Sequence, residues 1–160
     1  MFKRIITPRM GDTDAMRHIT NTALPVWFEI ARNELIEIFN PDYELTYKKW
    51  NLMLVHMDFN FIRQCYFGYD VEIRTYVTKI GKSSFTVLHE AWQNGKLRSN
   101  GKATMVYYDF IRQESNVIPE DIRIKLKEHF IGPEELDEKN RVEMKNNKKV
   151  NELDYVESDY

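Results

Sequence analysis

The chain has a single cysteine, Cys65, so an intrachain disulfide and a cysteine-based zinc site are both excluded. No apolar run comes near the ~18 residues that suggest a membrane span. The stretch Met1-Phe2-Lys3-Arg4-Ile5-Ile6-Thr7-Pro8-Arg9 has basic residues but no apolar signal-peptide core. Neither sign of charge dominates. Lys and Arg number 23 against 25 Asp and Glu, and a formal net charge of −2 gives nucleic acid or an anionic membrane little to hold. No internal repeat is visible, and no Gly/Ser-rich or Pro-rich linker interrupts residues 1–130.

What is present is apolar and aromatic. The 160 residues are 42% hydrophobic and include nine Phe, nine Tyr and three Trp, too rich for a disordered chain. A chain of this length buries roughly 68–70% of its unfolded surface without needing a metal or disulfide. The expectation is a soluble, cytoplasmic protein with no nucleic-acid or membrane partner. Composition shifts once, near residue 131: the last 30 residues carry nine acidic and five basic side chains and few apolar ones. Residues 1–130 are therefore expected to form the domain. Residues 131–160 read as a charged C-terminal extension, solvated or made of short surface helices.

Periodicity orders the first part. A short strand from Phe2 to Met10 is followed by a polar turn. Thr22 to Phe39 has an apolar arc wider than a surface stripe, which predicts a long, largely enclosed helix. Pro25 fits only its first turn, placing the N-cap at Asn21 or Thr22, and Asn40-Pro41 ends it. The period then changes to two, over Met53–Ile62, Val71–Val77, Phe85–Ala91 and Lys96–Ile111. Asn94-Gly95 is a strong hairpin signal, and Gly101 marks a bulge. Pro119 opens a terminal helix. Tight turns between strands imply antiparallel pairing, and an enclosed helix needs a curved sheet around it.

The chemistry concentrates in Gly11-Asp12-Thr13-Asp14-Ala15-Met16-Arg17-His18-Ile19-Thr20-Asn21, a turn that feeds the start of the enclosed helix. Two readings are open on spacing alone. A carboxylate beside the free N–H groups of a helix start can act on a carbonyl whose developing oxyanion those groups stabilise. Equally, Asp12 and Asp14 can make Asx turns while His18 satisfies a loop carbonyl. Elsewhere, Glu29 and Arg32 are spaced on one helix face to pair with each other or with a neighbouring chain. His56, His89 and His129 are too scattered for a metal site, and Cys65 has no histidine nearby.

Asp12-Thr13-Asp14-Ala15 with His18 and Asn21, then Trp27-Phe28-Glu29 and Ala31-Arg32, resembles the opening signature of the 4-hydroxybenzoyl-CoA thioesterase-like acyl-CoA thioesterases. The likeness continues through Phe59-Asn60-Phe61-Ile62-Arg63, Phe67-Gly68-Tyr69-Asp70, Gly81-Lys82-Ser83-Ser84-Phe85 and Asn94-Gly95 to Ile118-Pro119. It covers about residues 3–130. The resemblance implies an α+β hotdog fold, in which one long central helix is wrapped by a curved five-stranded antiparallel sheet.

By the same resemblance Asp14 matches the catalytic aspartate, as general base or nucleophile. Asn21 falls where a helix-start N–H polarises the thioester carbonyl, and Asp12 is structural. His18 shapes the loop beside the substrate, Leu24 lines the acyl pocket, and Lys82 and Ser83 lie where relatives contact the CoA nucleotide. Arg17 stands where the family has glycine, bending the loop differently or setting a cation near the phosphates. Leu24-Pro25 replaces a Tyr-Leu pair, and Thr20 replaces an asparagine. The activity implied is hydrolysis of an acyl-CoA thioester with no metal or redox cofactor, in a homodimer or homotetramer with sites at the subunit interface. An acyl carrier protein thioesterase, a hydratase or dehydratase on the same fold, and a non-catalytic acyl-binding module are the rival readings.

Overall fold

The computed structural model describes residues 1–147. In chain order the elements are β1 (Phe2–Ile6), a short 3-10 turn (Met10–Asp12), α1 (Ala23–Ile30), α2 (Asn33–Phe39), β2 (Leu52–Met57), β3 (Asn60–Phe61) and β4 (Val71–Ile80). There follow β5 (Ser84–Gln93), β6 (Lys96–Asp109), β7 (Glu114–Ser115), α3 (Glu120–Lys127) and α4 (Pro133–Asn147).

The period-two segments become one antiparallel sheet with main strand order β1-β4-β5-β6-β2, and the two-residue strands β3 and β7 add onto β6. The β5–β6 hairpin closes at Gln93↔Lys96. Its turn residues Asn94 and Gly95 both sit at left-handed φ, 50° and 66°, the conformation whose twist matches the flanking strands. Alternation gives the sheet two different faces. Val71, Ile73 and Val77 of β4, Phe85, Val87 and Ala91 of β5, and Ala103 and Met105 of β6 are buried on the inner side. Trp27 and Phe28 of α1, Leu35 and Phe39 of α2, and Ile122 and Leu126 of α3 belong to the same cores. This is the expected α+β arrangement of helix and five-stranded antiparallel sheet.

Three local features differ from the sequence reading. The central helix is two segments: Arg32 N–H donates to the Glu29 carbonyl at 3.0 Å, a tightened turn that separates α1 from α2. Ala31 and Arg32 keep right-handed helical dihedrals, so the path tightens without reversing. Arg32 does not pair with Glu29 at the surface. It is buried, with Nη1 3.4 Å from His89 Nε2, and Thr75 Oγ1 lies 2.8 Å from His89 Nδ1. Burial, with Arg32 adding to it, pushes the His89 imidazole down to about 3. Gly101 is not a bulge. It pairs in register with His89, and a Cβ there would meet the Asp58 carbonyl oxygen and the rings of Phe28 and Phe59. The register shifts fall at Leu54/His56, Val77/Lys79 and Ala91/Trp92.

α4 lies on the outer face. Leu136 is buried with Tyr76, Leu88 and Ile131, and polar groups fasten the rest. Arg74 makes a bidentate pair with Glu143 at 2.6 and 2.7 Å. Glu90, also buried, accepts from Asn140 Nδ2 at 2.5 Å and from Trp92 Nε1 at 2.9 Å. Burial pushes the Glu90 carboxyl up, and those hydrogen bonds oppose the shift. Leu153, Tyr155 and Val156 of the tail lie outside the described residues.

Candidate active site

The loop after the 3-10 turn folds on itself because its side chains serve its own backbone. Asp12, 7% exposed, accepts the Arg9 N–H on Oδ2 at 2.7 Å, and its carbonyl accepts Thr20 N–H at 2.8 Å. Thr13 and Ile19 form an antiparallel bridge. Within it Asp14 N–H donates to the His18 carbonyl at 2.9 Å. Arg17, at the tip, has φ +63°, in the left-handed region that glycine favours. Its guanidinium donates to the Phe67 carbonyl at 3.3 Å, so this arginine adopts a glycine-type conformation and ties the loop to its neighbour.

Inside that turn the Asp14 carboxylate has two unlike oxygens. Oδ1 accepts the main-chain N–H groups of Met16 at 2.8 Å and His18 at 2.9 Å. Oδ2 lies 3.8 Å from His18 Nδ1, and the Asp14 side chain is 41% exposed. One oxygen fixes the plane of the carboxylate while the other is presented outward.

The second half is the start of α1. Thr22 is the N-cap residue, yet no side chain caps the helix; its hydroxyl lies 3.3 Å from that of Thr20 instead. Among the described residues nothing accepts a hydrogen bond from the Asn21 or Thr22 main-chain N–H. Pro25, in the first turn, has no N–H to satisfy. The result is an uncapped helix start next to a carboxylate.

Asp14, His18, Asn21 and Leu24 line one cavity of about 740 Å³. Its opposite wall is Phe61, Ile62, Arg63, Gln64 and Cys65, which sequence reasoning did not assign to the site. Phe61-Ile62, an apolar pair left exposed at the end of β3 and just after it, is the signal that identifies this wall. Two strand-like contacts hold it against the loop: Ile19 N–H donates to the Cys65 carbonyl at 2.8 Å, and Phe67 N–H to the Arg17 carbonyl at 2.9 Å. Cys65 is buried among Ile19, Leu24 and Ile73, and burial pushes its thiol up to about 11, which disfavours the thiolate.

Lys82 and Ser83 are not brought to this cavity by their own chain. They form the β4–β5 turn, where the Lys82 carbonyl accepts Ile118 N–H at 2.9 Å and the Ser83 carbonyl accepts Tyr107 N–H at 2.8 Å. That is the far end of β6 from Ser99, which pairs with Phe61 of the cavity wall. Two other clefts, about 590 Å³ beside α4 and about 410 Å³ beside residues 41–51, contain none of the candidate site residues.

Comparison with known proteins gives the family and the fold. The model of the thioesterase-like superfamily matches residues 8–126, a span that holds the loop, the helix start and the cavity wall. A Bacillus stearothermophilus protein described as a predicted thioesterase shares 39% identity, covering 82% of this chain and 98% of its own, with a TM-score of 0.76. A Thermus thermophilus thioesterase solved with coenzyme A and zinc superposes at TM-score 0.68 and 21% identity, over 79% of this chain and 97% of that one. A Staphylococcus aureus protein solved in complex with CoA superposes at TM-score 0.72 and 12% identity, over 81% and 83%. No curated protein matches. The sheet and central helix are those of the hotdog thioesterase structures, and the chain belongs to the thioesterase-like superfamily.

Proposed function

We propose that the protein hydrolyses an acyl-CoA thioester to a carboxylic acid and free CoA, with Asp14 as general base or nucleophile. The observation that carries this reading is the pairing of Asp14 with an uncapped helix start across one cavity. Because Oδ1 is held by two N–H groups, Oδ2 is the oxygen available either to take a proton from water or to attack the carbonyl carbon. The Asn21 and Thr22 main-chain N–H groups, just before α1, face the developing oxyanion. His18 packs edge-on against Tyr66, ring centroids 5.3 Å apart, and borders Asp14. Leu24, Phe61 and Ile62 give the acyl group an apolar wall. Two structural neighbours were solved with CoA, which supports CoA as the carrier here.

In this reading the working unit is a homo-oligomer. β2 is an edge of the sheet, and its Leu54 and Val55, with Phe61 of the cavity wall, are about half exposed. An unpaired apolar edge is what a second copy covers. A partner across it sets a second chain beside the cavity, and Lys82 and Ser83 bind CoA only as residues contributed to that neighbour's cavity.

The test is release of thiol from acetyl-, hexanoyl-, palmitoyl- and benzoyl-CoA by the full chain. Turnover of at least one is expected. Folded protein that binds these compounds and releases no thiol from any of them refutes the hydrolase reading in favour of an acyl-binding module. Light scattering checks the assembly, and a mass near that of one chain would refute the composite site.

A further inference from the structure

Gln93 ends β5 with its side chain turned inward, 1% exposed. Three hydrogen bonds tie this side chain to one irregular loop. Oε1 accepts the Tyr66 N–H at 3.0 Å, and Nε2 donates to the carbonyls of Tyr66 at 2.8 Å and Tyr69 at 3.1 Å. The orientation of the amide is not free, because the Tyr66 N–H can only donate and must face the oxygen. One acceptor and two donors on a single side chain are available only from asparagine and glutamine, and asparagine is a methylene shorter.

Tyr66 is also the residue bridged to His18 in the catalytic loop. The bonds on either side of that bridge are Ile19 N–H to Cys65 carbonyl and Phe67 N–H to Arg17 carbonyl. His18 N–H in turn donates to Asp14 Oδ1. A second tie reaches the same loop from β6, where Arg98 Nη1 donates to the Gln64 carbonyl at 3.1 Å. The carboxylate thus takes its orientation from a loop whose own position is set by buried groups on the β5–β6 hairpin.

We infer that Gln93 is a positioning residue for the site: it fixes the Tyr66 main chain and, through the pairing with residues 17–19, the plane of the Asp14 carboxylate. The inference rests on the reading that Asp14 carries the chemistry. A misplacement of about 1 Å at a reacting group can cost 10²-fold in rate, while the apolar side chains offered to the acyl group, Leu24, Phe61 and Ile62, are not among the groups Gln93 bonds. The expected signature is therefore a loss in kcat with little change in KM.

The experiment compares full-length Gln93→Glu and Gln93→Met with wild type, using whichever of the four acyl-CoAs is turned over fastest, and follows hydrogen exchange in peptides covering residues 14–19. Near pH 7.5 Gln93→Glu sets a carboxylate against two carbonyls, and kcat should fall about 10–100-fold with KM within about threefold of wild type. Exchange at residues 14–19 should speed up while the centre of β4–β5 stays protected. Towards pH 5.5 the buried carboxyl takes up a proton and regains one donor. The ratio of its kcat to that of wild type should then recover, whereas the ratio for Gln93→Met should stay flat. If Gln93→Met does not fold, Gln93→Glu near pH 5.5 carries the comparison. Wild-type kcat in Gln93→Glu near pH 7.5, or a change confined to KM, would overturn the inference. If wild type hydrolyses none of the thioesters, the functional reading fails on its own. Exchange at residues 14–19 then decides the role of Gln93, and unchanged exchange refutes it.

Discussion

Replacing Asp14 by asparagine is the most direct trial of the site, because the two oxygens of this carboxylate have separate duties. An asparagine can turn its amide oxygen to the Met16 and His18 N–H groups that Oδ1 now holds at 2.8 and 2.9 Å. The loop therefore keeps its shape. Its NH₂ then takes the place of Oδ2, 3.8 Å from His18 Nδ1, and offers a donor where the reaction needs a basic lone pair. Loss of a general base costs about 10²–10⁴-fold, or about 3–5 kcal/mol in the activation barrier. The Asn21 and Thr22 N–H groups and the apolar wall of Leu24, Phe61 and Ile62 are untouched, so KM should stay near its wild-type value.

Asp12→Asn is the matched control. Asp12 is buried and braces the turn through Arg9 N–H at 2.7 Å, and it does not line the cavity. Exchanging a charge-assisted hydrogen bond for a neutral one should cost about 1 kcal/mol, lowering the melting temperature by about 2–4 °C in a chain of this size, with turnover largely kept. Thiol release and thermal melting of both variants make the comparison. Asp14→Asn at near wild-type turnover, with Asp12→Asn inactive but folded, would refute the assignment of roles.

Other elements give sharp expectations. His89, down at about 3 through burial when folded, has an ordinary value of 6.5 when unfolded. Below 6.5 the unfolded chain binds a proton the folded one refuses, so stability falls as pH drops towards 3. His89→Gln should show a shallower loss between urea titrations near pH 7 and near pH 4.5, and an identical loss would refute the point. Gly101→Ala should destabilise by about 2 kcal/mol or more, because the new Cβ meets the Asp58 main chain; an unchanged urea midpoint contradicts this. Removing residues 132–160 should leave turnover intact in the folded fraction, since α4 lies on the face away from the cavity. It should also lower stability by about 3 kcal/mol, from the burial of Leu136 and the loss of partners for Glu90 and Arg74. Loss of turnover in folded truncated protein would overturn the first half of that expectation.

The β4–β5–β6 ladder was legible because alternation and Asn94-Gly95 are local signals that the tertiary structure reinforces. The break in the central helix was not. Arg32 looks in sequence like the surface partner of Glu29, and only the fold brings His89 and Thr75 beneath it. Surface helix was among the readings of the tail, but the docking of α4 was not, for a related reason. Its docking uses a single buried leucine and polar side chains, Asn140 and Glu143, whose partners Glu90 and Arg74 lie many residues away. Composition alone assigns such residues to solvent. At the candidate site, Asp14, His18 and Asn21 stand in one short stretch and the resemblance adds Leu24, and the fold sets all four on one cavity. The far wall and Gln93 come from distant strands, and no spacing rule connects them to the loop.

Arg17 tests whether a departure from the family's pattern changes chemistry or only conformation. At φ +63° a non-glycine residue bears a left-handed penalty of about 1–2 kcal/mol, which Arg17→Gly would relieve. Against that, glycine adds unfolded-state freedom of about 0.4–1 kcal/mol, and the bond from the guanidinium to the Phe67 carbonyl, at 3.3 Å, is lost. The terms nearly cancel, so the urea midpoint should move little. Because the guanidinium is held at Phe67 and is not among the groups lining the cavity, KM for an acyl-CoA should stay within about twofold of wild type. A tenfold rise in KM for acyl-CoA, with none for the matching acyl-pantetheine that lacks the nucleotide, would show instead that Arg17 leaves Phe67 to meet the phosphates. In that case the arginine is part of the binding site, and its place at a glycine position is functional.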